Sequence, residues 1–197
     1  MKKINLLAVL FLTATLTFAQ TKWTFDHAHS KIGFGVTHLI ISEVEGNFKD
    51  FEGEVVAKDD DFQGADVWFT VNTKSIDTDN EQRDNHLRSD DFFNAEKYPE
   101  MTFKSKSFKK VSDKKYELVG DLTIRGITKE VTLDVKHNGT VVDPWGNTKA
   151  GFEVTGEINR FDYGLKWNAL MEAGGAVVGK TVDLNIDIEL TKTKNEA

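Results

Sequence analysis

The chain has no cysteine among its 197 residues. That excludes disulfides and a lipid-modified cysteine, so an exported protein of this size would have to stand on its hydrophobic core. Positive charge is in deficit: 25 Lys and Arg face 32 Asp and Glu, a net −7. Such a balance speaks against nucleic acid as a partner and against adhesion to anionic lipid surfaces. It leaves apolar ligands untouched. Long apolar runs are also missing, with one exception at the start. Lys2-Lys3 followed by Ile4 to Phe18 and the small-residue stretch Thr17-Phe18-Ala19 has the form of a cleaved export signal. The run is too short and too threonine-interrupted to span a bilayer comfortably. Cleavage after Ala19 is expected, with residues 20–197 as one domain, no transmembrane segment, and 23 basic against 32 acidic residues for a net −9.

Proline occurs twice, and each copy marks a boundary. Pro99 lacks an amide hydrogen and pushes Tyr98 into extended conformation, ending a distinctive stretch that begins near Thr78. Pro144 sits in Asp143-Pro144-Trp145-Gly146-Asn147, a strong turn signal. The reversal is placed there, and Asn138-Gly139, otherwise a hairpin signal, is read as a bulge.

Most of what is present alternates. Trp23 and Phe25; Ile32, Phe34 and Val36; Val67, Phe69 and Val71; Val131, Leu133 and Val135; and Val182 to Leu190 are spaced as half-buried strands are. Either Phe34 or its neighbour Gly35 could be the inward residue of its strand. Gly46 and Gly53 are expected as bend points, Arg125-Gly126 as a tight corner, and Met101–Val111 as the hairpin partner of Tyr116–Ile124. Eight or nine such segments make an all-β antiparallel barrel or sandwich. Residues 76–99 and 161–179 break the alternation. With nine segments, both inserts and the 38–43 link fall on even-numbered connections, hence over one mouth of a meander. Eleven-residue strands tilted by about 40° would enclose a tunnel on the order of 28 Å long.

The first insert carries the chemistry. Thr78-Asp79-Asn80-Glu81 has the form of a capping box, predicting a short helix from near Asp79 into Arg83-Asp84-Asn85-His86. Arg83, Asp84 and His86 could grip a ligand head group, since an arginine fork suits phosphate oxygens. They could equally tie the insert to the barrel, with Asp84 paired to an arginine. Phe92, Phe93, Phe103, Phe161 and Trp167 are core aromatics that would also form a barrel's ligand wall. His27 and His29 share a strand face and, with His86 or His38, could hold zinc. No nucleophile elbow is present, and Ala173–Gly179 is glycine-rich but followed by a strand, so it is read as a flexible lid segment and not a phosphate cradle.

Several motifs resemble one family. Trp23, Asp26, His29-Ser30, Phe34, His38, Gly46 and Phe48 match its opening pattern. Arg83-Asp84, His86-Leu87, Asp91-Phe92-Phe93, Tyr98-Pro99 and Phe103 match its central signature. Gly120–Gly126 and Arg160–Gly164 resemble its later ones. These are similar to the YceI-like, lipocalin-like polyisoprenoid-binding proteins. His27 departs from the proline common there. The resemblance implies an eight-stranded antiparallel barrel with a short helical insert at one mouth. It further implies a periplasmic protein holding a long-chain isoprenoid; with no catalytic motif in the sequence, neither catalysis nor a cofactor is expected. Phe34, His38, Arg83, Asp84, His86, Phe92, Phe93, Phe103, Phe161 and Trp167 are the candidate ligand-binding residues. A metal-dependent enzyme using His27 and His29, and an envelope-stress barrel without a specific ligand, are the alternatives. A homodimer is left open.

Overall fold

The computed structural model describes residues 20–169 and 175–193; residues 1–19, where the export signal is expected, 170–174 of the second insert and 194–197 lie outside them. Eleven strand segments form one antiparallel sheet that closes on itself. They are β1 (Thr21–Phe25), β2 (Lys31–His38), β3 (Ser42–Phe48), β4 (Phe51–Ala57), β5 (Asp66–Asn72) and β6 (Ile76–Asp77). After the helix α1 (Glu81–Arg88) come β7 (Glu100–Ser112), β8 (Lys115–Ile124), β9 (Ile127–Val142), β10 (Thr148–Asn159) and β11 (Val178–Lys192).

The pairings reduce eleven segments to eight staves. β1 and β2 both lie against β11, one beyond the other, so they are two pieces of one stave. β3 pairs with β2 and β4 with β1, which makes β3–β4 the second stave. β5 and β6 continue each other in the same way along β4 and β3. The remaining five strands are single staves, and the β1–β11 pairing closes an eight-stranded up-and-down barrel. Closure leaves no free edge to aggregate.

This settles where the inserts sit, by a different count from the one the alternation suggests. Residues 39–41, 78–99, 125–126 and 160–177 are the odd-numbered stave connections, and a meander returns all of them to one end. The shared-mouth expectation holds although its numbering does not.

Glycines explain two further departures. Neither Gly46 nor Gly53 bends its strand; the break falls at Lys49-Asp50 between β3 and β4. A Cβ at Gly46 would lie 2.5 Å from the Phe34 ring and one at Gly53 2.8 Å from the Phe25 ring, so both leave room for an aromatic lying across the strand. Phe34 is therefore the inward residue of β2. Gly35 faces outward against the exposed Glu43 side chain, so enlarging Gly35 cannot fill the interior.

The hairpins are as the sequence indicates. Ser112 pairs with Lys115, and Ile124 with Ile127 across Arg125-Gly126, whose φ values of 55° and 73° are those of a type I′ turn. Asn138 is the unpaired bulge residue between Gly139↔Gly151 and His137↔Phe152. Asp143 makes the β9–β10 turn, its Oδ1 accepting from the amides of Trp145 and Asn147.

The base of the barrel is closed by a cluster of rings. The β4–β5 loop turns inward at Phe62, which adopts φ +60° yet is 1 % exposed. A left-handed phenylalanine costs about 1–2 kcal/mol, and ring burial on the order of 2–3 kcal/mol offsets it. Phe62 lies 5.0 Å from Trp23 and 4.9 Å, edge-on, from Phe152, which stacks on His137. Phe108 and Tyr116 stack at 4.9 Å, and the Tyr116 hydroxyl donates to the Asp61 carbonyl.

Candidate functional site

Under the opposite end lies a cavity of about 290 Å³. Its walls are the inward side chains of the upper staves, among them Phe34, Val36, Val182 and Leu184. Its cover comes from the inserts, through Leu87, Phe92, Phe93, Leu165 and Trp167. Among the described residues no aspartate or glutamate lines it; its polar side chains there are Thr37, His38, Arg83, His86, Arg160 and Tyr163.

α1 places two of these groups, Arg83 and His86. Its cap is Asn80, whose side chain accepts from the Arg83 amide; the helix starts at Glu81, two residues later than the capping-box reading predicts. Thr78 is otherwise engaged. Its amide and hydroxyl both donate to Asp84 Oδ1, at 2.9 and 2.6 Å. Arg83 then donates through Nε to the Thr78 hydroxyl and through Nη2 to its carbonyl. The expected arginine partner of Asp84 is thus replaced by a threonine gripped from both sides. Asp84 is 6 % exposed and does not line the cavity: it fastens the insert. Arg83 fastens it too, yet also lines the cavity, so the two readings of this cluster meet in one side chain.

His86 Nε2 lies 2.8 Å from Asp91 Oδ2, and its ring stands edge-on to Phe92 at 5.1 Å and Trp167 at 5.0 Å. It bridges the two inserts. Arginines missed in the sequence complete the fastening. Arg88 donates to the carbonyls of Lys74 and Ile76. Arg125, in the β8–β9 turn, donates to the carbonyls of Asp90 and Phe92.

The second insert opens with a 3₁₀ turn, Arg160–Tyr163. In that geometry residues three apart eclipse one another. Arg160 and Tyr163 therefore face inward together and line the cavity, while Phe161 and Asp162 face out. Phe161 is 37 % exposed, stacks on the Arg160 guanidinium at 4.4 Å and does not line the cavity. Arg160 donates to the carbonyls of Gly179, Leu165, Trp167 and Val178, binding the insert to the start of β11. Burial without a carboxylate partner among the described residues lowers its pKa. The Tyr163 hydroxyl is buried and unpartnered among the described residues. Burial first, then the neighbouring Asp162 charge, pushes it up to about 12, which leaves it a donor at ordinary pH.

Of the other candidates, Phe34, His38, Phe92, Phe93 and Trp167 line the cavity. Phe103 does not: it is 2 % exposed, stacked at 5.3 Å behind Phe69. The histidines do not converge. His38 pairs with Val178 at the mouth end of β11, whereas His29 reaches Glu189 of the same strand near the base, and His27 packs on Phe51. His29, Asp26 and Glu189 do cluster, but around the Lys149 ammonium, which lies 2.5 Å from Asp26 and 3.1 Å from Glu189. That hydrogen bond from Lys149 is the main reason the Asp26 carboxyl is held down at about 2.

Comparison with known proteins follows this geometry. The YceI-like domain model matches residues 23–190. A UPF0312 protein of Staphylococcus aureus is 43 % identical over 173 residues, covering 87 % of this chain and 98 % of its own. The YCEI protein of Campylobacter jejuni superposes with a TM-score of 0.68 at 30 % identity, over 97 % of this chain and 100 % of its own. A polyisoprenoid binding domain from Saccharophagus degradans shares the fold with a TM-score of 0.62 at 16 % identity, over 87 % of this chain and 98 % of its own. Among the described residues no helix is long and apolar enough to cross a membrane.

Proposed function

The chain belongs to the YceI-like family, and on that premise we propose that it is a periplasmic binding protein, without enzymatic activity or cofactor, that carries or sequesters a long-chain polyisoprenoid in its barrel. One observation carries the reading: a cavity of about 290 Å³ with apolar walls, no carboxylate among the described residues of its lining, and a few polar groups at the mouth. Small-molecule sites have this composition. The family and the polyisoprenoid-binding fold neighbour support the ligand class, and the Lys2–Ala19 leader supports export.

The energetics favour a tail-driven complex. Micromolar binding needs about −8 kcal/mol, and each buried methylene contributes roughly 0.8 kcal/mol. Some fifteen to twenty buried carbons suffice after association costs of several kcal/mol. Arg83, His86 and Tyr163 then select the head group rather than set the affinity.

Organic extraction of the protein purified from its native envelope, followed by mass spectrometry, tests the reading. A prenyl-chain lipid in near-stoichiometric amount is expected. An extract with no apolar compound would remove the carrier reading in favour of a barrel without a specific ligand.

A further inference from the structure

The interior is not the single tunnel that strand length suggests. Below the mouth cavity lies a second, of about 60 Å³, lined only by apolar side chains that include Val67, Leu118, Val154 and Ile188. The two cavities have three wall residues in common: Ile32, Phe69 and Ile186. Ile32 and Ile186 are direct partners across β2 and β11. Phe69 comes from β5, which pairs with neither of those strands. Three side chains from two parts of the wall thus form a waist.

We propose that the lower cavity is a second binding compartment for the distal end of the ligand's apolar chain, reached when the Phe69 ring moves aside, so that the waist sorts chains by length. This rests on the carrier reading. The stacking of Phe69 on Phe103, at 5.3 Å and 15°, lets one ring slide over the other without breaking a hydrogen bond. Phe69 is half-buried, whereas Phe103 behind it is fixed at 2 % exposure. Phe69 is therefore the movable member.

Register sets the lengths. From His38↔Val178 at the mouth to Ile32↔Ile186 at the waist is six residues of β2, or about 15 Å down the axis for strands tilted by about 40°. From Ile186 to Leu190, which lines the lower cavity, is four residues of β11, or about 10 Å more. An extended carbon chain advances roughly 1.25 Å per bond, from ~1.52 Å bonds at ~111°. By length, the upper cavity then spans about three isoprene units in extended form, and the step down to Leu190 about two more. A fifteen-carbon prenyl chain should end near the waist, and a twenty-carbon one should pass it.

The test uses delipidated full-length mature protein with the C10, C15 and C20 prenyl alcohols as probes, in the wild type, Val154→Phe and Phe69→Leu. Val154 lines the lower cavity alone. Wild-type affinity should rise from C10 to C15 and again, at least about tenfold, from C15 to C20. Val154→Phe should keep the first rise and lose the second. Phe69→Leu should enlarge the second, and it carries the test if Val154→Phe fails to fold. Wild-type affinity that levels off after C15, or a Phe69→Leu variant with an unchanged C20-to-C15 ratio, would overturn the second compartment while leaving the carrier reading intact. Failure of all three alcohols to bind would remove both.

Discussion

The two ends of this barrel are made from the same staves and do opposite things. At the base, one inward loop and a ring cluster of Trp23, Phe62, His137 and Phe152 plug the end of the barrel and leave only a small cavity above them. At the mouth, the inserts cover the interior without filling it. Their side chains spend their hydrogen bonds on each other, through Asp84 to Thr78, Arg125 to the Asp90 and Phe92 carbonyls, and Arg160 to four carbonyls. The difference teaches how one sheet supports both stability and binding. Apolar packing concentrated at one end permits space at the other, provided the cover is held by polar fastenings that do not occupy that space.

The comparison is broken most directly by truncating one large ring at each end. Trp23→Ala should destabilise the apo protein by about 3–5 kcal/mol, while Trp167→Ala at the mouth should cost less than about half of that, because Trp167 borders space. Paired denaturant titrations check this; equal losses would mean the mouth is as much a core as the base. Asp84→Ala comes next. It strips the Thr78 amide and hydroxyl of their acceptor in a buried setting, at a cost of about 2–4 kcal/mol without any ligand present. An unchanged apo midpoint would show that the fastening is dispensable.

A smaller effect separates the walls from the interior. The Asp26 carboxyl, held near 2 chiefly by Lys149, has a folded pKa below its unfolded value of 3.8. Its contribution is therefore present above about pH 4 and lost as pH falls toward 2. It should amount to on the order of 1–2 kcal/mol after allowance for solvent screening. Asp26→Asn should flatten that part of the stability–pH curve, which equilibrium unfolding between pH 5 and 2 would reveal. Smallest of all, Tyr163→Phe should leave apo stability within about 1 kcal/mol of wild type or raise it, since its hydroxyl has no partner to lose among the described residues. A clear loss in thermal denaturation would mean that the hydroxyl is bonded within the protein.

Much of this was legible in the residues and some was not, for definite reasons. The period-two alternation, the Asp143–Asn147 turn and the Asn138 bulge could be read because each depends on residues adjacent in sequence. The collinear staves could not, since only cross-strand register shows that β1 and β2 share one neighbour. Thr78 looked like a helix cap by spacing, but the buried Asp84 drew its hydroxyl away and left capping to Asn80. Phe161 reads as a wall residue by its hydrophobicity, yet Arg160 and Tyr163 are the residues that line the cavity. Its turn has a period of three, so the first and fourth residues face inward together. The glycine stop at Gly164, φ +78°, was the available hint that a tight turn ends there.

The central claim is that the space beneath the mouth receives the ligand. Leu184 lines that cavity alone, at its centre beside Phe34. Leu184→Trp should fill the cavity at an overpacking cost of about 1–3 kcal/mol, leaving the barrel folded. Titration of delipidated wild-type and Leu184→Trp protein with the C15 prenyl alcohol is the most direct measurement. The account predicts saturable binding to the wild type and at least about a tenfold loss in the folded variant. Equal affinity in the two proteins would contradict it.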